Sequence, residues 1–239
     1  MAAGAPTPRP GGLPPRPLRF TAVHDWFELS EDGAVAARTW GAWRSAVCDE
    51  HEMRRGRHYA TFTLRTLGGD TMLGVVGAGF DPSLGNKAQS SPQGWVLATH
   101  SGSLRHESRG SEWEGQPGNE LKEGDVVVRN ASALSCRRHS RCRAQGMLLD
   151  LDAATLTVWV NGERMGVMVR PGMTDRFGRP VARLEGPLRW AVDLNRAAVA
   201  ISAAALPSTD TAEPRGAPEL ETRRRLPRTR MWQWSNDRS

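Results

Sequence analysis

The chain has 239 residues and a formal charge of +6, with 24% charged and 6% aromatic residues, enough for one sizeable domain with tails or for two small domains. It contains no run of about 18 apolar residues, so no helical membrane span is expected, and its first residues lack the apolar stretch of a secretory signal. Three cysteines, Cys48, Cys136 and Cys142, form a poor disulfide framework and point to a reducing compartment. The charge is unevenly placed. Residues 1–20 carry +3, residues 128–145 carry +5 and residues 207–239 carry +2, which leaves the rest of the chain at −4. A basic balance confined to the ends and one internal segment gives little support to nucleic-acid binding.

In chain order, "MAAGAPTPRPGGLPPRPL" comes first. It is rich in proline and glycine, cannot bury a core, and predicts a disordered tail over residues 1–20. Its lack of acids faintly suggests a transit peptide, but six prolines within 20 residues oppose the amphipathic helix such a peptide needs. Thr39 to Met53 is the one stretch compatible with a modest helix. "YATFTL" (Tyr59 to Leu64) then alternates aromatic and aliphatic residues with threonines at period two, which predicts a strand. "MLGVVGAGF" (Met72 to Phe80) is a buried run whose glycines oppose a helix. "QGWVLAT" and "GSLRHES" flank a turn at His100-Ser101-Gly102. "ATLTVWVNGERMGVMV" is a hairpin, because Asn161-Gly162 supplies the two positive-φ positions of a type I′ turn. "LRWAVDL" and "AAVAIS" add two late strands, and residues 207–239 read as a second, basic disordered tail. Many short strands separated by Gly, Asn and Asp turns predict an all-β sandwich or barrel.

Taken in order, "GRHYATFTL", "MLGVVGAGFDPSLG", "GWVLATHSGSLRHE", "EGDVV", "GMLLDLDAATLTVWVNGERMGV" and "GPLRWAVDL" resemble a SPRY domain. The likeness runs from about Thr39 to Leu206, within a single domain expected over residues 21–206. It implies a concanavalin A-like antiparallel β-sandwich of two sheets, without catalysis or cofactor, which binds partners through variable loops at one end. Such a module acts as a scaffold or adaptor. The expected partner is a protein or peptide rather than nucleic acid or membrane, the expected state a monomer, and the expected location intracellular, cytoplasmic or nuclear.

One stretch departs from the pattern. Between "EGDVV" and "GMLLDLD" lie 18 residues, Val128 to Gln145, with five arginines, one histidine, two cysteines and no acid. Deleting them restores the join "EGDVVGMLLDLD". Val-Arg can be encoded as a splice donor and Gln as an acceptor, so the leading expectation is a retained intron translated in frame. A genuine surface loop is the alternative. Either way an arginine-rich segment is expected to leave the sheet, because it cannot be buried unpaired. Cys136, His139 and Cys142 offer three metal ligands, but zinc takes four, so no metal site is assigned. The sequon Asn130-Ala131-Ser132 matters only in a secreted chain.

The polar loop Gly79 to Gly94, between two apolar strands, is the expected partner-binding wall. Phe80 would offer an apolar contact, and Asp81, Asn86, Lys87 and Gln89 hydrogen-bonding groups. Arg54, Arg55 and Arg57 before the first strong strand, and Asn195 and Arg196 between the last two, are further candidates. Of the nine tryptophans, Trp95, Trp159 and Trp190 are expected in the core. Trp113 is either an exposed anchor or a loop-pinning residue. His24-Asp25 and His58 have no partner at a catalytic spacing, and Asp150 and Asp152 read as turn punctuation. The competing class is a glycan-binding or glycan-cleaving concanavalin-like protein, with Glu112 and Glu114 around Trp113 as its carboxylates.

Overall fold

The computed structural model describes residues 17–67, 71–116 and 143–204. In chain order the strands are β1 (Ala22–Val23), β2 (Glu28–Ser30), β3 (Val35–Arg38), β4 (Arg44–Val47), β5 (Arg57–Leu67), β6 (Thr71–Gly77), β7 (Gly94–Ala98), β8 (Leu104–His106), β9 (Arg109–Ser111), β10 (Arg143–Asp150), β11 (Thr155–Val160), β12 (Glu163–Val169), β13 (Leu188–Leu194) and β14 (Ala197–Ala203). They form two antiparallel sheets. The first runs β1-β4-β13-β6-β7-β8-β9 and the second β12-β11-β10-β5-β14-β3-β2. The expected all-β sandwich is what forms. Among the described residues the sole helical turn is a short 3₁₀ segment at Ala88–Ser90.

The period-two patterns decide which side chains meet between the sheets. Ala60, Phe62 and Leu64 of β5 face Leu188, Trp190, Val192 and Leu194 of β13 within the main core. Phe62 meets Trp190 edge-to-face, with ring centroids 5.9 Å apart, a preferred aromatic arrangement. Trp95, Trp159 and Trp190 are all buried, as their strand positions predict. At the β11–β12 turn Asn161 has φ 56° and Gly162 φ 80°, which meets the sign requirement of the primed turn.

Three expectations need correction. The stretch Thr39 to Met53 is not a helix. It contains β4, whose Ala46 and Val47 pair with β1 and β13, so partners distant in sequence override a weak local preference. The N-terminal boundary also shifts, because Leu18 and Phe20, placed in the tail by composition, are 2% and 1% exposed and belong to the main core. Finally, the backbone of Arg143 to Gln145, the last residues of the inserted segment, continues β10 and pairs with Leu64, Thr63 and Phe62 of β5. The segment's earlier residues, including Cys136, His139 and Cys142, lie outside the described ones.

Candidate functional site

Strand register defines the two ends of the sandwich. Arg44 of β4 pairs with Leu194 of β13, and Arg38 of β3 pairs with Ala197 of β14. Among the described residues three connections therefore pass between the sheets at one end: residues 24–27, joining β1 to β2, residues 39–43, joining β3 to β4, and Asn195-Arg196, joining β13 to β14. We call this the crossover end. At the opposite end Arg57 pairs with Asp150, and Met53 bridges Leu188.

The Gly79–Gly94 loop leaves β6 and enters β7 at that opposite end, but its middle lies back along the outer face of the first sheet. The reason is the alternation of β13. Its even-numbered residues enter the main core, while Arg189, Ala191 and Asp193 point outward. Ala191 joins Val47, Met72, Val76, Phe80, Ala88, Val96 and Ala98 in a second apolar cluster. The Asp193 carboxylate is fully buried and accepts hydrogen bonds from the Ser45 hydroxyl, the Ala88 N–H at 3.0 Å and the Gln89 N–H at 2.9 Å. Burial pushes its pKa up, against the opposing pull of these donors and of Lys87. The Ser45 hydroxyl also lies 3.1 Å from the Asn86 carbonyl. Gly85 rests on Arg44, where an added Cβ would stand 3.3 Å from Nε.

An arginine–tryptophan cluster lies beyond β4. The guanidinium of Arg38 sits 5.3 Å from the Trp26 ring centroid and 5.9 Å from that of Phe27. That of Arg44 lies 5.4 Å from the Trp26 ring. Trp26 in turn packs on Trp40, with centroids 4.9 Å apart, and His24 meets Trp26 edge-on. Both tryptophans remain open to solvent, Trp26 at 41% and Trp40 at 58%. Arg38 does not. It is 1% exposed, and all three of its guanidinium nitrogens are buried without a hydrogen-bond partner among the described residues.

The structure divides the candidate residues predicted from sequence. Asn86 is exposed and Lys87 and Gln89 half-buried, on the part of the loop that reaches Ser45 and Asp193. Asn195 and Arg196 occupy the turn at the crossover end. Phe80 is corrected. At 5% exposure it belongs to the second cluster and offers no surface contact. Asp81 is exposed but engaged locally, and the Ser83 hydroxyl and N–H hold its pKa below the ordinary value. Arg54, Arg55 and Arg57 are solvated at the opposite end, where Arg57 lies beside Asp150. They cannot share a surface with Asn195 and Arg196, because the full length of β5 separates them.

Trp26, Trp40, Arg38 and Arg44 were missed by the sequence reading. Trp40 and Arg44 have a readable signal in "WGAWR", two tryptophans and an arginine in a short link, whereas Trp26 and Arg38 have none. Trp113 resolves as a pinning residue, since its buried indole N–H donates to the Gly102 carbonyl at 2.8 Å. Glu112 and Glu114 are exposed on the wall of a cleft that also includes Glu163, Arg164 and Met165. The ring between them is not free to stack on a sugar. Asp150 and Asp152 cap backbone N–H groups of Ala153 and Gly56, as turn residues do. Among the described residues no three His, Cys, Asp or Glu side chains converge as metal ligands.

No protein-family model and no curated protein sequence matches the chain. Solved structures do. The TRIM65 PSpry domain aligns with a TM-score of 0.51 and 14% identity, over 80% of this chain and 93% of that one. The SPRY domain of human HERC1 aligns at 0.46 and 14% identity, over 74% and 92%. The stonustoxin structure aligns at 0.47 and 13% identity, over 77% of this chain and 28% of that one. The likeness to TRIM65, with the two-sheet architecture, establishes a SPRY-type fold.

Proposed function

We propose that this SPRY-type sandwich is a non-catalytic interaction module that holds a protein or peptide at its crossover end. The observation that supports this reading is the exposed Trp26–Trp40 pair. Large aromatic rings are normally withdrawn from water, and solvent-exposed tryptophans flanked by arginine have the composition of binding hot spots. The pair lies beside connections rather than on a strand face, where a rigid scaffold presents variable residues. Asn86, Lys87, Gln89, Asn195 and Arg196 would supply the polar rim. Such a module would act as an adaptor or scaffold. Cys48, buried and outside any disulfide among the described residues, suits an intracellular setting.

The test is selection of a displayed peptide library on the full chain, with a glycan array run beside it. Trp40→Ala is expected to abolish capture of the selected peptides while the thermal midpoint holds. Alanine at Asn86, Lys87 and Gln89 together should weaken it. Capture that survives both but is lost on replacing Arg54 and Arg55 would move the site to the opposite end. Glycan binding without peptide binding would favour the sugar-binding alternative.

A further inference from the structure

Resting on that reading of the crossover end, we infer that its partner presents a carboxylate, an aspartate or glutamate side chain beside an apolar residue. Arg44 would receive it at the surface, above the uncompensated charge of Arg38. The argument starts from Arg38. A buried guanidinium normally faces a carboxylate or a set of carbonyl oxygens, because an unpaired ion loses its hydration with nothing in exchange. Arg189 in the same domain follows that rule, with Asp49 and the carbonyls of Gly77, Ala78 and Phe80 around it. Arg38 has only aromatic faces. Burial draws its pKa below the ordinary guanidinium value and Arg44 adds to that pull, so the local field is short of negative charge.

Arg44 is the accessible half of the pair. It is half-buried; among the described residues its guanidinium makes one hydrogen bond, from Nη1 to the Trp43 carbonyl at 2.8 Å, and its Nε is buried without a partner. Neither arginine forms an ion pair among the described residues, although Asp25 and Glu28 lie close by in sequence on either side of Trp26 and Phe27. Two like charges, one of them buried, favour an incoming anion. The exposed faces of Trp26 and Trp40 favour an apolar neighbour to it. The two demands together describe a short acidic–apolar peptide element better than a free ion, which would leave the tryptophans uncovered.

The experiment selects a random dodecamer library on the full chain and remakes each enriched peptide with Asp or Glu changed to Asn or Gln. Enriched peptides should share an acid beside an apolar residue, and the amide form should bind about ten-fold more weakly, the loss of one charge-assisted hydrogen bond. Arg44→Gln should erase the difference between acid and amide, whereas Trp40→Ala should weaken both forms. Arg38→Met, which removes the buried charge without altering the surface, should reduce the acid preference in the same direction. Equal binding of acid and amide forms, or an acid preference that survives Arg44→Gln, overturns the assignment. So does a phosphoserine peptide that binds more than about ten-fold tighter than its aspartate counterpart, since that would mark a phosphate site. Peptides that depend on Trp40 without preferring acid leave the interaction reading standing and remove only the carboxylate. A library with no binder, or binders indifferent to Trp40, removes both.

Discussion

Arg189 and Asp193, four residues apart on the outward face of β13, fasten one loop at its start and at its middle. The Arg189 guanidinium donates to the carbonyls of Gly77, Ala78 and Phe80 at 2.8–2.9 Å. The Asp193 carboxylate accepts from Ala88, Gln89 and Ser45. Between them Ala191 lies under the apolar patch that the loop brings down. The loop therefore behaves as a third layer on the first sheet, and its polar tip is presented from a fixed base.

Asp193→Ala should release that base. It leaves the N–H groups of Ala88 and Gln89 and the Ser45 hydroxyl without their acceptor, at a cost of about 2–4 kcal/mol. Hydrogen exchange is expected to accelerate at Ala88 and Gln89 while the β11–β12 hairpin keeps its protection. Uniform acceleration over both regions would mean that Asp193 supports the whole fold rather than the loop.

The same carboxylate gives stability a pH dependence. Burial raises its pKa in the folded state, so the folded protein binds this proton more tightly than the unfolded chain does. Its contribution is greatest below the unfolded carboxylate value and is lost as pH rises through the folded value. Urea midpoints measured across the acidic range should carry this slope in the wild type and lose it in Asp193→Asn. Parallel curves for the two proteins would contradict it.

Gly162→Val tests the hairpin. A β-branched residue at φ 80° is strained, and the substitution should cost roughly 1–3 kcal/mol. An unchanged thermal midpoint would show that this turn can change type without penalty.

Removing Val128 to Gln145 joins Val127 to Gly146 and tests whether the inserted segment is foreign to the sandwich. In the shortened chain Asp125, Val126 and Val127 inherit the register positions of Arg143, Ala144 and Gln145, opposite Leu64, Thr63 and Phe62. Valine then replaces glutamine at a position paired with the buried Phe62, and the closure entropy of a long connection is also reduced. The shortened chain should be at least as stable as the full one in urea. A chain that unfolds on deletion would make the segment structural. Sequencing of mature transcripts addresses its origin, and codons 128–145 present in every message would exclude a retained intron.

The sequence was most informative where the physics is local. Period-two alternation around Tyr59 to Leu64, and Asn161-Gly162 between two apolar runs, fix strand and turn within a few residues. Short strands such as β1, β2 and β9 carry too little pattern to be read. β4 was misjudged because its identity comes from β13, about 145 residues away by the pairing of Val47 with Ala191. The same limit applies to the Gly79–Gly94 loop, whose polar character is readable while its attachment to Asp193 is not.

By itself the sequence determined the all-β class, the hairpin, the core tryptophans on strands and the existence of a long polar loop, because each depends on neighbours along the chain. Only the tertiary structure decided which loops share an end. It separated Arg54, Arg55 and Arg57 from Asn195 and Arg196, withdrew Phe80 into an apolar cluster, and left Trp26 and Trp40 in solvent, with Trp26 over an Arg38 that has no acceptor among the described residues. The physical reason is that exposure and charge compensation are set by what packs across the sheets. For Arg38 that means the ring of Trp26, 12 residues earlier, and no acceptor among the described residues.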